Sequence, residues 1–255
     1  MRSVAPSPRL APFVREFMIV EVREETTRVR LPEAGFVLGV RYRGCASLLA
    51  DEGVTPLPPA TLTAIGSAAQ RMRTAANSAI VLAVFHPGGA AQFFSEPLHE
   101  FFGTTLSLDL LLRHTDVDRV STRVMEATND AQRVAALDAL LVARLRQRRP
   151  DPVVEAAVRA IRDSHGAVQI RALARQLAIS QDPLEKRFRR SVGASPKQLA
   201  SLLRLRRAID AYRPGMQLTR LAIDAGYFDQ SHFNRDMRAV TGDSPGRFLR
   251  SGEYR

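Results

Sequence analysis

Two short stretches of this chain carry polar and basic side chains at helical spacing, arranged to hydrogen-bond rather than to make or break bonds. In the first, Asp182, Lys186 and Arg189 recur every three or four residues, with Gln181 ahead of them and Glu185 at their edge. In the second, Ser231, Arg235 and Arg238 do the same, flanked by Gln230, His232 and Asn234. The opposite face of each stretch is apolar, Leu184, Phe188 and Val192 in one and Phe233, Met237 and Val240 in the other, and must pack inward. A helix built this way turns amides, hydroxyls and guanidinium groups outward, which is the donor and acceptor set that reads base edges in a major groove. Glu185 either accepts from a cytosine amino group or is simply solvated.

Stepping outward from these residues, both stretches belong to an internal repeat at an offset of 49 residues. Ser180-Gln181 corresponds to Asp229-Gln230, Leu184 to Phe233, Phe188 to Met237, Gly193 to Gly242 and Ser195-Pro196 to Ser244-Pro245. Upstream the offset is 48, so that Leu173-Ala174 matches Leu221-Ala222. Each copy reads as a short helix, a turn and a second helix, with the side chain of Ser180 or Asp229 capping the second helix and Gly226 supplying the tight turn of the second copy. Arg171 stands where the matching Thr219 is suited to cap its helix.

Between the copies, Pro196 opens a helix of about 17 residues, roughly 25 Å long, which serves as a rigid spacer. From Lys186 to Ile209 there are eight basic residues and no acidic one. Of these, Arg190, Lys197, Arg204, Arg206 and Arg207 are the expected phosphate contacts, which makes a steep salt dependence of binding the natural expectation. The plainer reading is a pair of helical hairpins with solvated arginines. Duplication, a joining helix and focused charge together favour the nucleic-acid reading.

Composition agrees. The 255 residues carry 37 basic and 26 acidic side chains, all but two of the basic ones being Arg, and the excess is concentrated beyond residue 153, where 19 basic residues face 10 acidic ones. The only cysteine, Cys45, excludes an internal disulfide; its neighbouring arginines would favour a redox-active thiolate, but a small packed side chain is the ordinary reading. No signal pattern or membrane-length apolar run is visible, so a cytoplasmic protein with no membrane partner is expected. His86, in "HPGG", is the one histidine that a barrel might offer to a metal. It lacks the neighbouring ligands a metal site needs, so a hydrogen-bonded His before a turn is expected, with no metal, no cofactor and no catalytic residue assigned. His99, His114 and His165 read as structural or surface residues.

Up to Gly89 the chain alternates short apolar stretches with Gly and Pro, "EFMIVEVRE", "FVLGVRYRG", "ASLLA", "TLTAIGS" and "AIVLAVFHPGG", which predicts antiparallel strands. From Ala90 the spacing turns helical, through "LSLDLLLRH" and "VAALDALLVARLRQR". The charged, proline-bearing "RQRRPDP" at 146–152 predicts an exposed linker. The fold class expected is therefore α+β: a mainly antiparallel β domain with closing helices over 1–148, and an all-α domain over 153–250 with two helix-turn-helix units joined by a linker helix.

The stretches "LARQLAISQDPLEKRFRRSVGASPKQLASLLRLRRAI" and "LTRLAIDAGYFDQSHFNRDMRAVTGDSPGRFLR" resemble the DNA-binding domain of the AraC/XylS family over residues 165–250. The resemblance implies seven helices, two recognition helices entering successive major grooves, and DNA-facing roles for Asp182, Glu185, Lys186 and Arg189 and for Gln230, Ser231, His232 and Arg235. The N-terminal half resembles, more weakly, a sensor-like domain found upstream of such domains. The partners implied are a promoter or operator duplex, an unidentified small-molecule effector, RNA polymerase and a second copy of the chain. Two other readings stay open at this stage: a metal-dependent barrel enzyme with an accessory helical domain, and a constitutive DNA binder whose first half only assembles subunits through Leu137, Leu140, Leu141 and Leu145.

Overall fold

The computed structural model describes residues 1–51, 53–146, 149–252 and 254. Among the described residues its N-terminal half holds the strands β1 (Arg2–Val4), β2 (Val14–Val22), β3 (Thr26–Arg30), β4 (Val37–Arg43), β5 (Ala46–Ala50), β6 (Gly53–Pro56), β7 (Ala60–Thr63), β8 (Gln70–Thr74), β9 (Ser78–Phe85) and β10 (Thr105–Ser107). They form two antiparallel sheets, one in the order β1-β2-β9-β4-β7-β10 and the other β3-β8-β5-β6. The near-continuous apolar run of β9 takes a central place, pairing Ile19 with Val81 on one side and Val40 with Val81 on the other. Each of the five stretches expected as strands contains one, although in "TLTAIGS" the strand ends at Thr63. Of the five others, β1, β3, β6 and β8 carry residues that are largely exposed or charged and lack an apolar alternation, and β10 falls within a stretch of helical spacing.

After β9 the expectation of helix holds only from His114. Residues Gly89–Gln92, Leu98–Phe101 and Leu108–Leu110 form single 3₁₀ turns, and the start of "LSLDLLLRH" lies in β10. There Leu106 and Ser107 pair with Leu62 and Thr61, so a backbone ladder prevails over helical side-chain spacing. Helices α1 (His114–Glu126) and α2 (Asp130–Arg144) then close the domain, burying Val117, Val120 and Val124 against Val134, Leu137 and Leu141. The leucines considered for subunit assembly belong to this core: Leu137 and Leu141 are buried, and Leu140 and Leu145 are packed against it.

Of the linker expected at 146–152, Arg146, Arg149 and Pro150 have no regular structure, and the segment is anchored. The Arg146 amide donates to Gln92 and its guanidinium to Phe94, each to the carbonyl; Gln147 and Arg148 lie outside the described residues. Asp151 ends the segment by accepting from the Val153 and Val154 amides, with Pro152 in the first turn where a missing N–H is harmless.

Seven helices follow: α3 (Pro152–Asp163), α4 (Ile170–Gln176), α5 (Gln181–Val192), α6 (Pro196–Ala211), α7 (Leu218–Asp224), α8 (Gln230–Thr241) and α9 (Pro245–Ser251). Among the described residues no helix is long and apolar enough to cross a membrane.

The hydrophobic core does not divide at the linker. One buried cluster runs from the sheets and α1–α2 through α3, α4 and α5 to Leu202 of α6, and a second begins at Leu205 and holds the rest of α6 with α7, α8 and α9. The junction is tight where Gly193, which ends α5 at φ +91, lies against Phe36 and Leu98; a Cβ there would stand 2.7 Å from the Phe36 ring. The turns of the two repeat copies also match in backbone. Gly226 adopts φ +90, and its counterpart Ala178 adopts φ 52, a left-handed conformation that a side chain disfavours.

These two positions give opposite expectations. Ala178→Gly should stabilise the protein by about 0.5–1 kcal/mol, the left-handed strain relieved less the added chain entropy, whereas Gly193→Ala should destabilise it by roughly 2–3 kcal/mol through strain and clash. Urea denaturation of the two variants beside the parent chain reads both signs.

Candidate nucleic-acid interface

Helix α5 presents the first polar face. Gln181, Asp182, Lys186 and Arg189 are exposed along it, while Leu184, Phe188 and Val192 are buried beneath. Glu185 is half-buried and accepts from the Arg189 side chain at 2.8 and 3.0 Å, a pairing across one helical turn that orients the guanidinium and partly neutralises it. Ser180 occupies the capping position, but its hydroxyl makes no capping hydrogen bond, contrary to the sequence expectation. Arg187 points away from this face and grips Asp151 at 2.6 and 2.7 Å, tying α5 to the start of α3. Partial burial pushes the Asp151 carboxyl up, but the hydrogen bonds from Arg187 and from the Val154 and Val153 amides outweigh it and hold the group below its ordinary range.

Helix α8 presents the second face, with Ser231, Arg235 and Arg238 exposed over buried Phe233 and Met237. Asp229 caps it as expected, accepting from the His232 amide at 2.6 Å. Thr219 does not cap α7, which starts after Gln217; its hydroxyl donates instead to the Gln230 side-chain oxygen at 2.5 Å. His232 and Asn234 are half-buried. The His232 ring stands edge-on to Tyr227, with centroids 5.2 Å apart, and its Nε2 lies 3.9 Å from Asp236, so this side chain leans toward its own domain.

Of the five arginines and lysines expected at phosphates, Arg190, Lys197 and Arg207 are exposed and two have other work. Arg204 is only 14% exposed. It donates to the Gly166 carbonyl at 2.7 Å, lies 5.4 Å from the Tyr227 ring centre, and reaches within 3.9 Å of Asp236, which also accepts from the Ser201 hydroxyl at 2.5 Å. Arg206 donates to the Pro32 carbonyl at 2.8 Å and pairs with Glu33 at 2.9 Å, so it faces the β domain. Both side chains expected at phosphates are therefore engaged within the protein: residues two apart on α6 face different partners as the helix turns, and only the packed structure says which side is covered.

The β domain touches both repeat units. Beyond the Gly193 contact in the first, the Ala69 amide donates to the Val240 carbonyl of α8 at 2.6 Å, and Val29 and Leu31 pack against the second core. These contacts, and Glu33 with them, left no trace in the sequence pattern, because each pairs residues far apart in the chain.

His86 stands half-buried at a cleft of about 1040 Å³ that separates the Pro87-Gly88-Gly89 turn and Phe13 from α3 and the end of α5. Burial lowers its pKa, and the charges of Arg162 and Arg15 lower it further against a hydrogen bond to the Ala11 carbonyl. Among the described residues no group of three His, Cys, Asp or Glu side chains is placed to hold a metal ion. Cys45 is exposed rather than packed.

The family model described as Helix-turn-helix domain (HTH_18) matches residues 173–251, and the one described as Domain of unknown function (DUF6597) matches residues 2–107. No curated protein matches the chain. Among solved structures it is similar to ToxT from Vibrio cholerae, at 13% identity and a TM-score of 0.48, over 91% of this chain and 97% of that one. The C-terminal domain of AraT, a response regulator from Geobacillus stearothermophilus, is similar at 22% identity and a TM-score of 0.37, over 41% of this chain and 88% of that one. A probable AraC family transcriptional regulator from Rhodopseudomonas palustris CGA009 is similar at 27% identity and a TM-score of 0.34, over 40% and 97% of the two chains.

Two stability measurements check this geometry. Arg204→Ala removes the hydrogen bond to the Gly166 carbonyl and the charge beside Asp236, which keeps its bond from the Ser201 hydroxyl, and should lower stability by about 1.5–3 kcal/mol. Asp151 has a depressed folded pKa, so its contribution is present above the unfolded carboxylate value, about 3.9, and is lost as pH falls through the folded one. Arg187→Ala should therefore be modestly less stable than the parent at neutral pH, since the pair is partly exposed, and the difference should vanish once the pH falls below the folded value of Asp151.

Proposed function

The C-terminal part of this chain is an AraC-type helix-turn-helix domain, which makes the protein a DNA-binding transcription regulator, and on that premise we propose that α5 and α8 are recognition helices that enter successive major grooves of one operator. The observation that carries this reading is the duplication of an exposed polar face over a buried apolar stripe, both copies braced on one helix, α6. Sixteen residues of α6 span about 24 Å, and with the width of the flanking units this suits major-groove segments about 34 Å apart, with some bending of the duplex.

In this reading Gln181, Asp182, Lys186 and Arg189 face bases in one groove, with Glu185 orienting Arg189. Gln230, Ser231, Arg235 and Arg238 face bases in the next, with His232 at the edge of that surface. Arg190, Lys197 and Arg207 meet phosphates and position the helices without reading sequence. The domains act as two functional units, 1–148 regulatory and 153–250 DNA-binding, and the protein works in the cytoplasm, without catalysis.

The β domain modulates binding because it holds both units at once. It grips the first through Phe36 and Leu98 against Gly193, and the second through Glu33 on Arg206 and Ala69 on Val240. A small-molecule effector that shifts the β domain changes the relation of α5 to α8, and with it the fit to two grooves. Regulation of transcription would follow through contact with RNA polymerase or through pairing of two copies on the operator.

Selection of bound sequences from a random duplex pool, followed by titration at several salt concentrations, tests the proposal. Enrichment of a site with two contacted segments about one helical turn apart supports it, and failure to enrich any sequence overturns it. With that site in hand, Arg235→Ala should weaken specific binding by about 10- to 100-fold while nonspecific binding barely changes. Arg207→Ala should weaken both alike and lower the salt slope by about one. Glu33→Gln, which removes a carboxylate from Arg206 and loosens the hold on the second unit, should raise affinity severalfold at low salt.

A further inference from the structure

The most exposed large apolar side chain of the DNA-binding domain is Phe228, at 90%. It stands in the turn of the second helix-turn-helix, one residue before Asp229, whose carboxylate caps α8. An apolar residue at this point ordinarily folds back onto the first turn of its helix, stapling the entry of the chain. In the first repeat copy Ile179 precedes Ser180 directly and is packed against the core, and the matching backbone hydrogen bonds to Ala174 and Ala222 pair it with Tyr227, which leaves Phe228 as the extra residue of the second turn.

In the second copy that task falls to Tyr227. It is buried and lies 5.2 Å, centroid to centroid, from Phe233 of α8 and the same distance from His232, with the Arg204 guanidinium near its ring. The staple is complete without Phe228, whose ring is left in water beside the end of α8 that carries Gln230 and Ser231. An aromatic ring gains little for the fold in that position, and its face is open to a partner from outside the chain.

We propose that Phe228 is a specificity-determining residue that packs against a thymine C5-methyl group in the groove entered by α8. The inference rests on the reading of α8 as a recognition helix, and deepens it: apolar contact with that methyl is the one base-edge feature that the polar residues of the helix do not read. The residue precedes α8 in the chain and travels with its N-terminal turn wherever that turn docks.

The test uses the full chain and the duplex obtained by selection. Each thymine of the α8 half-site is replaced in turn by deoxyuridine, which deletes only the methyl group, and affinity is measured by fluorescence anisotropy for the parent protein and for Phe228→Ala. One replacement should weaken the parent about fourfold, as for loss of one buried methyl, while Phe228→Ala should bind more weakly overall and be indifferent to that replacement. Phe228 touches little in the fold, so melting temperature should be unchanged in the variant. Parental affinity and parental deoxyuridine sensitivity in Phe228→Ala would overturn the inference while leaving the regulator reading intact. Unaltered DNA binding with transcription lost in a reaction containing purified RNA polymerase would overturn it in favour of a polymerase contact. Absence of any selected sequence would remove the recognition reading and this inference together.

Discussion

Two separate exposed helical faces keep a fixed relation only if something holds their helices in place, and in this chain much of that falls on one guanidinium. Arg204 lies mostly buried between the loop after α3, the spacer α6 and the second helix-turn-helix, meeting Gly166, Tyr227 and Asp236 at once. Gly166, at φ +82, lets the loop come so close to Ala200 that a Cβ would strike its carbonyl, which brings the Gly166 oxygen within reach of Arg204. Ser201, one helical turn before the arginine's own level, holds Asp236 from the same side. A mostly buried charge with these partners is directional in a way that apolar packing is not, so it fixes the orientation of α8 on α6.

The rest of the architecture gives the two units unequal freedom. The first shares a continuous core with the β domain, so its helix is effectively part of that domain's surface. The second has its own smaller core beyond Leu205 and meets the β domain through Val29 and Leu31 and through polar and edge contacts, Glu33 to Arg206 and Ala69 to Val240 among them. Partly exposed polar contacts are weak individually and sensitive to small shifts, whereas an apolar core resists them. The arrangement makes the second unit the more loosely held of the two.

The two copies of one motif also solve their local problems differently. The turn of the first tolerates Ala178 in a left-handed conformation, while the second uses Gly226. Asp229 caps α8 through its side chain and Ser180 leaves α5 without that bond. The first staples its entry with Ile179, and the second with Tyr227, freeing Phe228. Duplication preserved the buried stripe and the glycine at each helix end, the features that packing and backbone geometry demand, and let the solvent-facing chemistry diverge.

Much of this was legible in the residues alone. The apolar stripes of α5 and α8, the proline-led spacer, the central strands and the polar faces all follow from periodicity, because a side chain's direction on a helix or strand is set by its own position within three or four neighbours. Strands such as β3 and β8 escaped notice, since charged, exposed residues carry no such period, and β10 was misread because ladder pairing with β7 decided its backbone. Which face of α6 meets solvent, that Arg204 and Arg206 turn to Gly166 and Glu33 instead of remaining free for phosphate, and that the core ignores the linker were settled only by the tertiary structure. Those outcomes depend on partners 38 to 174 residues away in sequence, and local spacing holds no record of contacts that chain folding alone brings together.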